Sequence, residues 1–349
     1  SIVGNVLQRG FGHTPYGDRT ANSCNFEAVM PDGSLARSGF GDVQKSVVGN
    51  VYPYGSGPDS RGMLQQTCGP IVTRMTINLM PRPECVVGFA FRVNDPLRFG
   101  EILQRIGKMR QSGLIDSVVH MANDLRVLSS QPELLESIPR DGALSALQRV
   151  ELARRGGIAS WNGLGGIYGS RRLVAAKKAE IKSSLRDLAR VRFFGKRRVA
   201  TLGKLASWMP EKSIGTTIRS LSKAVADVYE LLCGRPSASH LEGAFYRNRP
   251  ESGQVSDAGL IWIAPVIPCT SRDAMRLIDT VEPIANRHGF DLPITISPVV
   301  ARACVCITNL SFDKSNEAER LAATECYREI KSTLDELGYP PYRHASIEI

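Results

Sequence analysis

Apolar residues recur along the chain at two spacings, one typical of strands and one typical of helices. Residues 26–37 predict a β-hairpin around Pro31-Asp32-Gly33. Beyond the hairpin, the predicted strands are 71–77, 85–93, 161–169, 259–268 and 299–312, and the predicted helices are 95–109, 170–191, 271–289 and 316–338. This order predicts an α+β fold in which helices pack on an antiparallel sheet.

The first of these helices is the most explicit prediction. Asp95 and Pro96 form a helix start. The apolar residues after them are predicted to share one buried face, and they are Leu97, Ile102, Leu103, Ile106 and Met109.

A domain boundary is predicted where the strand 71–77 runs into prolines at 81 and 83. Proline cannot continue a central strand, so the boundary is expected within 80–84. The predicted domains are 1–80 and 81–349.

Composition then limits the class of protein. The chain has 349 residues, of which 42% are hydrophobic and 22% charged, which is typical of a soluble globular protein, either cytoplasmic or periplasmic. No apolar run approaches the ~20 residues that a membrane span requires. The eight cysteines are scattered and the five histidines are dispersed, so reduced thiols and no metal site are expected.

The net charge of +10 is compatible with an anionic partner. In the basic run 189–200, Phe193 and Phe194 lie among five cations and could stack bases. A solvated helix end that leads into a turn is the favoured interpretation, and no nucleic-acid partner is predicted. The glycines of "WNGLGGIYG" do not match a dinucleotide fingerprint and indicate close strand packing instead.

Two segments carry candidate chemistry. In "GHTPYGDR", Asp18 follows Pro15 and Gly17, so its carboxylate is either a general base or an acceptor within its own turn. In "LGYPPYRH", two prolines precede Tyr342 and Arg343, whose hydroxyl and guanidinium together suit a phenolate or carboxylate oxygen.

These segments, with several others, resemble the vanillyl-alcohol oxidase and para-cresol methylhydroxylase family of FAD-linked oxidoreductases. The opening "SIVGNVLQRGFGHTPYGDR" and the later "YPYGSGPDSRGMLQQTCGPIVT" resemble two segments of the family's flavin domain. "WNGLGGIYG", "LLCGRPSASHLEGAFY", "GLIWIAPV" and "GYPPYR" resemble landmarks of its cap, or substrate, domain, in the same order.

The resemblance implies a fold and a set of roles. Residues 1–80 are the C-terminal part of a PCMH-type FAD-binding domain, and 81–349 are a cap domain with an antiparallel sheet flanked by helices. Asp18 is the base at a quinone-methide intermediate, and Tyr342 and Arg343 bind the phenol oxygen as phenolate. The residues implied to lie at the FAD are Ser1, Ile2, Gly4, Asn5, Gly10, Gly12, Tyr16, Gly17, Gly69, Ile71 and Val72.

The substrate pocket is implied to include Trp262 and Arg302. Many relatives place paired histidines just before the "VCI" sequence, where this chain has Arg302, Ala303 and Cys304. An arginine there favours an acidic or more polar aromatic compound. No histidine or tyrosine stands at 258–260, so FAD is expected to be non-covalent or attached through another segment.

The family's N-terminal pyrophosphate loop and its C-terminal return segment have no counterpart here, so the chain is expected to be an internal fragment or one part of a split protein. The expected function is FAD-dependent oxidation of a para-substituted phenol or related aromatic alcohol. The alternatives are an FAD-linked 2-hydroxy-acid dehydrogenase, or a non-catalytic basic binding protein. The expected partners are a small aromatic substrate, the missing FAD-domain segments, a c-type cytochrome or dioxygen as electron acceptor, and a second copy in a homodimer.

Overall fold

A computed structural model describes residues 2–138, 142–208, 213–235, 244–245 and 257–345. The chain forms two units, Ser1–Arg82 and Pro83–Ile349, which we describe separately.

The first unit is built on a three-stranded antiparallel sheet. Its elements are α1 (Ile2–Leu7), β1 (Ser23–Val29), β2 (Leu35–Arg37) and β3 (Ile71–Ile77), with strand order β2-β1-β3. The predicted hairpin is confirmed, since β1 pairs with β2 and Gly33 takes a positive φ of 83° in the turn. Its small core consists of Val6, Phe26, Ala28 and Leu64.

The second unit is built on an eight-stranded antiparallel sheet with helices. Its strands are β4 (Cys85–Val93), β5 (His120–Asn123), β6 (Trp161–Gly169), β7 (Arg192–Gly195), β8 (Ala258–Ile263), β9 (Val266–Pro268), β10 (Ile294–Val300) and β11 (Ala303–Asp313). The strand order is β7-β4-β6-β5-β10-β11-β8, and β9 pairs with β11. The α+β fold predicted from the sequence is confirmed.

Helices alternate with the strands of this sheet along the chain. They are α2 (Phe99–Gln111), α3 (Asp124–Leu128), α4 (Pro132–Glu136), α5 (Ala146–Gly156), α6 (Arg171–Ser184), α7 (Lys196–Trp208), α8 (Ser213–Leu232), α9 (Ser271–Arg287) and α10 (Glu317–Leu337). Helices α2, α9 and α10 contribute Ile102, Leu277 and Ile330 to the main core.

Strand pairing assigns side chains to the two faces of this sheet, because directly paired residues of antiparallel strands point to the same side. Cys306 pairs with Ile296, and both belong to the helix-packed core. Asn309 pairs with Trp262. Asn309 lies three residues after Cys306 in β11, and side chains alternate along a strand, so Asn309 points to the other face. The strands β8 and β11 therefore present Asn309 and Trp262 on the face opposite the core.

The prediction that the glycines of β6 allow close strand packing is confirmed. Gly163 pairs with Phe91 and Gly165 with Phe89 across the β4–β6 ladder. A Cβ at Gly163 would overlap the Phe91 ring, and one at Gly165 would overlap the Phe89 ring. The absent side chains therefore make room for two phenyl rings that lie across the neighbouring strand.

The predicted strand 259–268 is divided into β8 and β9, and the predicted helix 170–191 ends at Ser184. Three other predicted details are wrong. The strand 299–312 is a hairpin of β10 and β11, in which Val300 pairs with Ala303 across the turn. Apolar periodicity missed this turn because Ala301 and Arg302 carry no glycine or proline signal. Leu97 is 79% exposed, because residues 96–98 form a 3₁₀ turn before α2 begins at Phe99.

The third error concerns the basic run, predicted as a solvated helix end. Its residues instead form the edge strand β7, which pairs with β4, followed directly by α7. Phe193 lies 6.4 Å from the Phe89 ring, and the Phe194 ring covers Gly88. Both rings pack against the sheet, which leaves them poorly placed to stack on bases.

Candidate active site

Asp18 lies in the loop between α1 and β1 of the first unit, and it is exposed. Its Oδ1 accepts a hydrogen bond from the backbone N–H of Ala21 at 2.9 Å, and its carbonyl accepts one from Asn22 Nδ2 at 2.8 Å. The carboxylate thus organises its own turn. Its second oxygen has no hydrogen bond within the described chain, so it stays open to a proton donor.

Two glycines allow polar side chains to close over this loop. A Cβ at Gly12 would overlap the Arg19 guanidinium, and a Cβ at Gly10 would overlap the Asn5 side chain. The backbone adds bonds from the Gly12 N–H to the Gly17 carbonyl and from the Gly10 N–H to the Asn5 carbonyl. The loop before Asp18 is therefore fixed by contacts that only glycine permits.

The residues that the resemblance assigns to FAD form a partly open surface of the first unit. Ile2 and Ile71 are each 69% exposed, and the nearest atom to a Cβ at Gly69 would be Pro31 Cγ at 3.4 Å. Exposed backbone beside apolar side chains fits a flat aromatic ring system such as that of a flavin. Gly4 and Asn5 are also exposed, Gly12, Tyr16 and Val72 are half-buried, Gly10 and Gly17 are buried, and Ser1 lies outside the described residues.

Three predicted site residues come together in the second unit. The Tyr342 backbone N–H donates to the Ala264 carbonyl at 3.1 Å, which ties the segment after α10 to the end of β8. The Arg343 guanidinium carbon lies 5.3 Å from the centroid of the Trp262 ring and 5.3 Å from that of the Tyr342 ring. One cation thus contacts two aromatic rings, which we call the Trp262–Tyr342–Arg343 cluster.

The electrostatics of this cluster favour a neutral tyrosine beside a fixed cation. Burial raises the pKa of Tyr342, while the positive charge of Arg343 acts in the opposite direction. At neutral pH the Tyr342 hydroxyl therefore keeps its proton. The cluster can present a guanidinium and a phenol hydroxyl to one incoming oxyanion.

Arg302 does not join that cluster. It is exposed in the β10–β11 turn, where its carbonyl accepts from the Cys269 N–H. Asn309, the partner of Trp262, lies seven residues further along, roughly 20 Å at the rise of a strand. The structure therefore separates Arg302 from the other pocket residue that the sequence suggests.

Sequence reasoning missed a group of buried polar residues near Trp262. Asn309 and Ser311 are buried on β11, and the Asn309 Oδ1 accepts from Arg126 Nη2 at 2.7 Å. No periodicity marks these residues, since Asn and Arg are most often found at the solvent-exposed surface of a protein. Only the strand register brings them together.

In the described part of the chain, no three His, Cys, Asp or Glu side chains group in a way that could hold a metal ion. The same residues include no helix with the length and hydropathy needed to cross a bilayer. All eight cysteines are free thiols.

Comparison with known proteins finds two curated proteins to which the chain is similar. The chain is 29% identical over 98% of its length to 1'-carboxy-chondrochloren decarboxylase of Chondromyces crocatus, covering 64% of that protein. It is 24% identical over 98% of its length to the 4-cresol dehydrogenase flavoprotein subunit of Pseudomonas putida, covering 60% of it. No family model matches the chain.

A solved structure of 4-ethylphenol oxidase from Gulosibacter chungangensis, in an isoeugenol complex, superposes with a TM-score of 0.85 at 23% identity. The match covers 99% of this chain and 62% of that one. The homologues and structural neighbours are members of the vanillyl-alcohol oxidase and p-cresol methylhydroxylase family. The resemblance predicted from the sequence is confirmed.

The match covers only part of each relative. The chain spans about 60% of the length of the curated relatives that it matches. Among the segments that resemble the family, "WNGLGGIYG" is β6 and "GLIWIAPV" runs from β8 to the start of β9. Residues 236–243 and 246 of "LLCGRPSASHLEGAFY" lie outside the described residues.

Proposed function

We propose that the protein is an FAD-dependent oxidoreductase that oxidises a para-substituted phenol, or a related aromatic alcohol, at the carbon attached para to the hydroxyl. The observation that carries this proposal is the Arg343 guanidinium between the rings of Tyr342 and Trp262. The names of two relatives support it, because 4-cresol and 4-ethylphenol are para-alkylphenols. A third relative is named as a decarboxylase, so the proposed substrates include aromatic compounds that carry a carboxyl group.

The proposed mechanism begins at the phenol oxygen. Arg343 and the neutral Tyr342 hydroxyl bind this oxygen and stabilise it as a phenolate. The added electron density at the para position weakens the C–H bond of the attached carbon, so a hydride can leave. FAD supplies the acceptor for this hydride when it is bound.

Loss of the hydride leaves an electrophilic quinone methide in the substrate. Water adds to its exocyclic carbon, and Asp18 takes the proton that the water loses. The product is an alcohol, and the ring returns to a phenolate at Arg343. The carboxylate suits this role because it is exposed and one of its oxygens is open.

The proposal assigns 1–80 to part of an FAD-binding domain and 81–349 to a cap domain. FAD would lie against the exposed surface around Ile2, Gly69 and Ile71. Dioxygen or a c-type cytochrome would accept the electrons, and the relative named as a flavoprotein subunit supports the second option. The exposed apolar side chains of the first unit support further FAD-domain polypeptide as a partner.

The test uses the full-length protein with bound flavin. Under anaerobic conditions, 4-ethylphenol is expected to bleach the flavin absorption. Asp18→Asn should slow substrate turnover by about 10²–10⁴, the range for loss of a general base. Asp32→Asn is the matched control, because Asp32 is also an exposed carboxylate that caps its own turn in the first unit.

Other outcomes separate the alternatives. Bleaching by lactate but not by phenols would favour a 2-hydroxy-acid dehydrogenase. A colourless full-length protein that binds nucleic acid in a salt-sensitive way would favour the basic binding protein. Equal rates for Asp18→Asn and Asp32→Asn would remove Asp18 from the mechanism.

A further inference from the structure

Arg126 is a cation with no carboxylate partner among the described residues of the second unit. Its Nη2 donates to the Pro293 carbonyl at 3.0 Å and to Asn309 Oδ1 at 2.7 Å, and both acceptors are neutral. No Asp or Glu among the described residues forms an ion pair with it. Arg149, by contrast, binds the carboxylates of both Asp124 and Glu282.

The surroundings of Arg126 make the lack of an anionic partner energetically unfavourable. Desolvation by burial lowers the pKa of Arg126 to about 10. The Nε atom is sealed from solvent and has no acceptor among the described residues. A guanidinium in such a place is stabilised strongly by an anion, because its desolvation is otherwise uncompensated.

The donor geometry leaves room for that anion. Both hydrogen bonds of the guanidinium use Nη2, so Nη1 has donors with no acceptor among the described residues. Arg126 is half-buried as a whole residue, and among its guanidinium nitrogens only Nε is both sealed from solvent and without an acceptor in the described chain. An incoming carboxylate oxygen can therefore reach Nη1.

Asn309 fixes this cation next to the aromatic cluster. Its side chain accepts from Arg126 and donates to the Ala244 carbonyl at 3.1 Å and to Ser311 Oγ at 3.2 Å. Asn309 is paired directly with Trp262, so the Cβ atoms of the two lie about 5 Å apart on the same face of the sheet. Arg126 and Arg343 therefore flank the same Asn309–Trp262 pair.

We propose that Arg126, positioned by Asn309, binds a carboxylate carried on the para side chain of an aromatic substrate whose phenol oxygen is held by Tyr342 and Arg343. This inference rests on the proposed function and narrows its substrate class to para-hydroxyphenyl acids. It also assigns the acid-binding role to Arg126 in place of the exposed Arg302.

The test compares two ligands of similar size on the full-length holoenzyme, the anion 4-hydroxyphenylacetate and the neutral 4-ethylphenol. Dissociation constants are measured by flavin or tryptophan spectral titration, and their ratio gives the preference for the acid. Arg126→Gln should reduce this preference about tenfold or more, as expected for loss of a charge-assisted contact. Arg126→Lys should retain part of it.

Two further variants make the result specific. Asn309→Asp places a carboxylate against Arg126 and should reduce the preference for the acid as well, because the cation is then neutralised internally. Arg302→Gln is the matched control and should leave the preference near that of the unmodified protein. A thermal unfolding midpoint for each variant identifies any that fails to fold.

Each remaining outcome has one meaning. Equal losses for both ligands in Arg126→Gln would make Arg126 purely structural and overturn the inference. A preference that responds to Arg302→Gln would overturn it in favour of Arg302. If neither ligand bleaches the flavin but the acid still binds through Arg126, the anion site stands and the proposed function fails. If phenols bleach the flavin and the unmodified protein shows no preference for the acid, the inference alone fails.

Discussion

Arg343 owes its position to two aromatic rings rather than to a carboxylate. The planar guanidinium can lie against the Trp262 and Tyr342 rings and still point N–H donors at an oxyanion. A lysine ammonium is compact and strongly hydrated, so it cannot reproduce both contacts. Arg343→Lys is therefore expected to weaken the binding of an oxyanion by the Trp262–Tyr342–Arg343 cluster.

The pH dependence of turnover gives a test at this residue. In the proposed mechanism Arg343 stabilises the substrate phenolate, so its charge would lower the pKa of the bound phenol. Arg343→Gln should move the rising limb of the pH–rate profile to higher pH and reduce the rate at neutral pH by about 10²-fold. The measurement is the rate of flavin reduction against pH. Arg302→Gln should leave the profile in place, and a shift there instead would contradict the assignment to Arg343.

At the scale of elements, the packing of strand β6 against β4 depends on glycines in β6. Gly163→Ala should destabilise the protein by about 1–3 kcal/mol, because the new methyl group overlaps the Phe91 ring in a packed core. Phe91→Leu in the same chain should recover part of that loss, which identifies the ring as the cause.

The control for this change is Gly203→Ala in α7. A Cβ at Gly203 meets no atom within 4 Å, so this substitution should stabilise the helix by about 0.5–1 kcal/mol. Urea unfolding measures both variants. If the two alanines had the same effect, close packing would not explain the glycines of β6.

The elements with strong local signals could be predicted from the sequence, whereas β5, α7 and α8 were not predicted. Hydrophobic periodicity predicted α9 and α10, and the turn residues Pro31-Asp32-Gly33 predicted the hairpin, because each of these signals is local and strong. Periodicity failed at the Ala301–Arg302 turn, which has no turn residue, and at Leu97, where a 3₁₀ turn shifts the helix start. Arg126 was not predicted as a site residue because its half-buried position next to Asn309 depends on the pairing of β5, β10 and β11, which periodicity does not encode.

At the scale of the whole molecule, the two units bury their apolar residues to different degrees. Most of the strongly exposed large apolar side chains of the described chain lie in Ser1–Arg82, although it holds under a quarter of the residues. Its core is four residues, whereas Pro83–Ile349 has a core that extends across its sheet and helices. The second unit is therefore the one expected to fold alone.

Separate expression checks this expectation. Residues 83–349 should unfold in one cooperative urea transition, whereas residues 1–82 should bind a hydrophobic dye and lack a sharp transition. The far-UV circular dichroism signal and dye fluorescence are the readouts. A cooperative transition for 1–82 combined with none for 83–349 would contradict this division of stability.

The three tryptophans occupy three distinct settings. Trp161 is stacked on Phe99 with ring centroids 3.7 Å apart, Trp208 is 89% exposed, and Trp262 lies against Arg343. Replacing Trp161 and Trp208 with phenylalanine would leave Trp262 as the sole indole emitter. Its fluorescence would then follow ligand arrival at Arg343 in real time, so the cluster gives the protein an intrinsic optical probe that needs no dye or isotope.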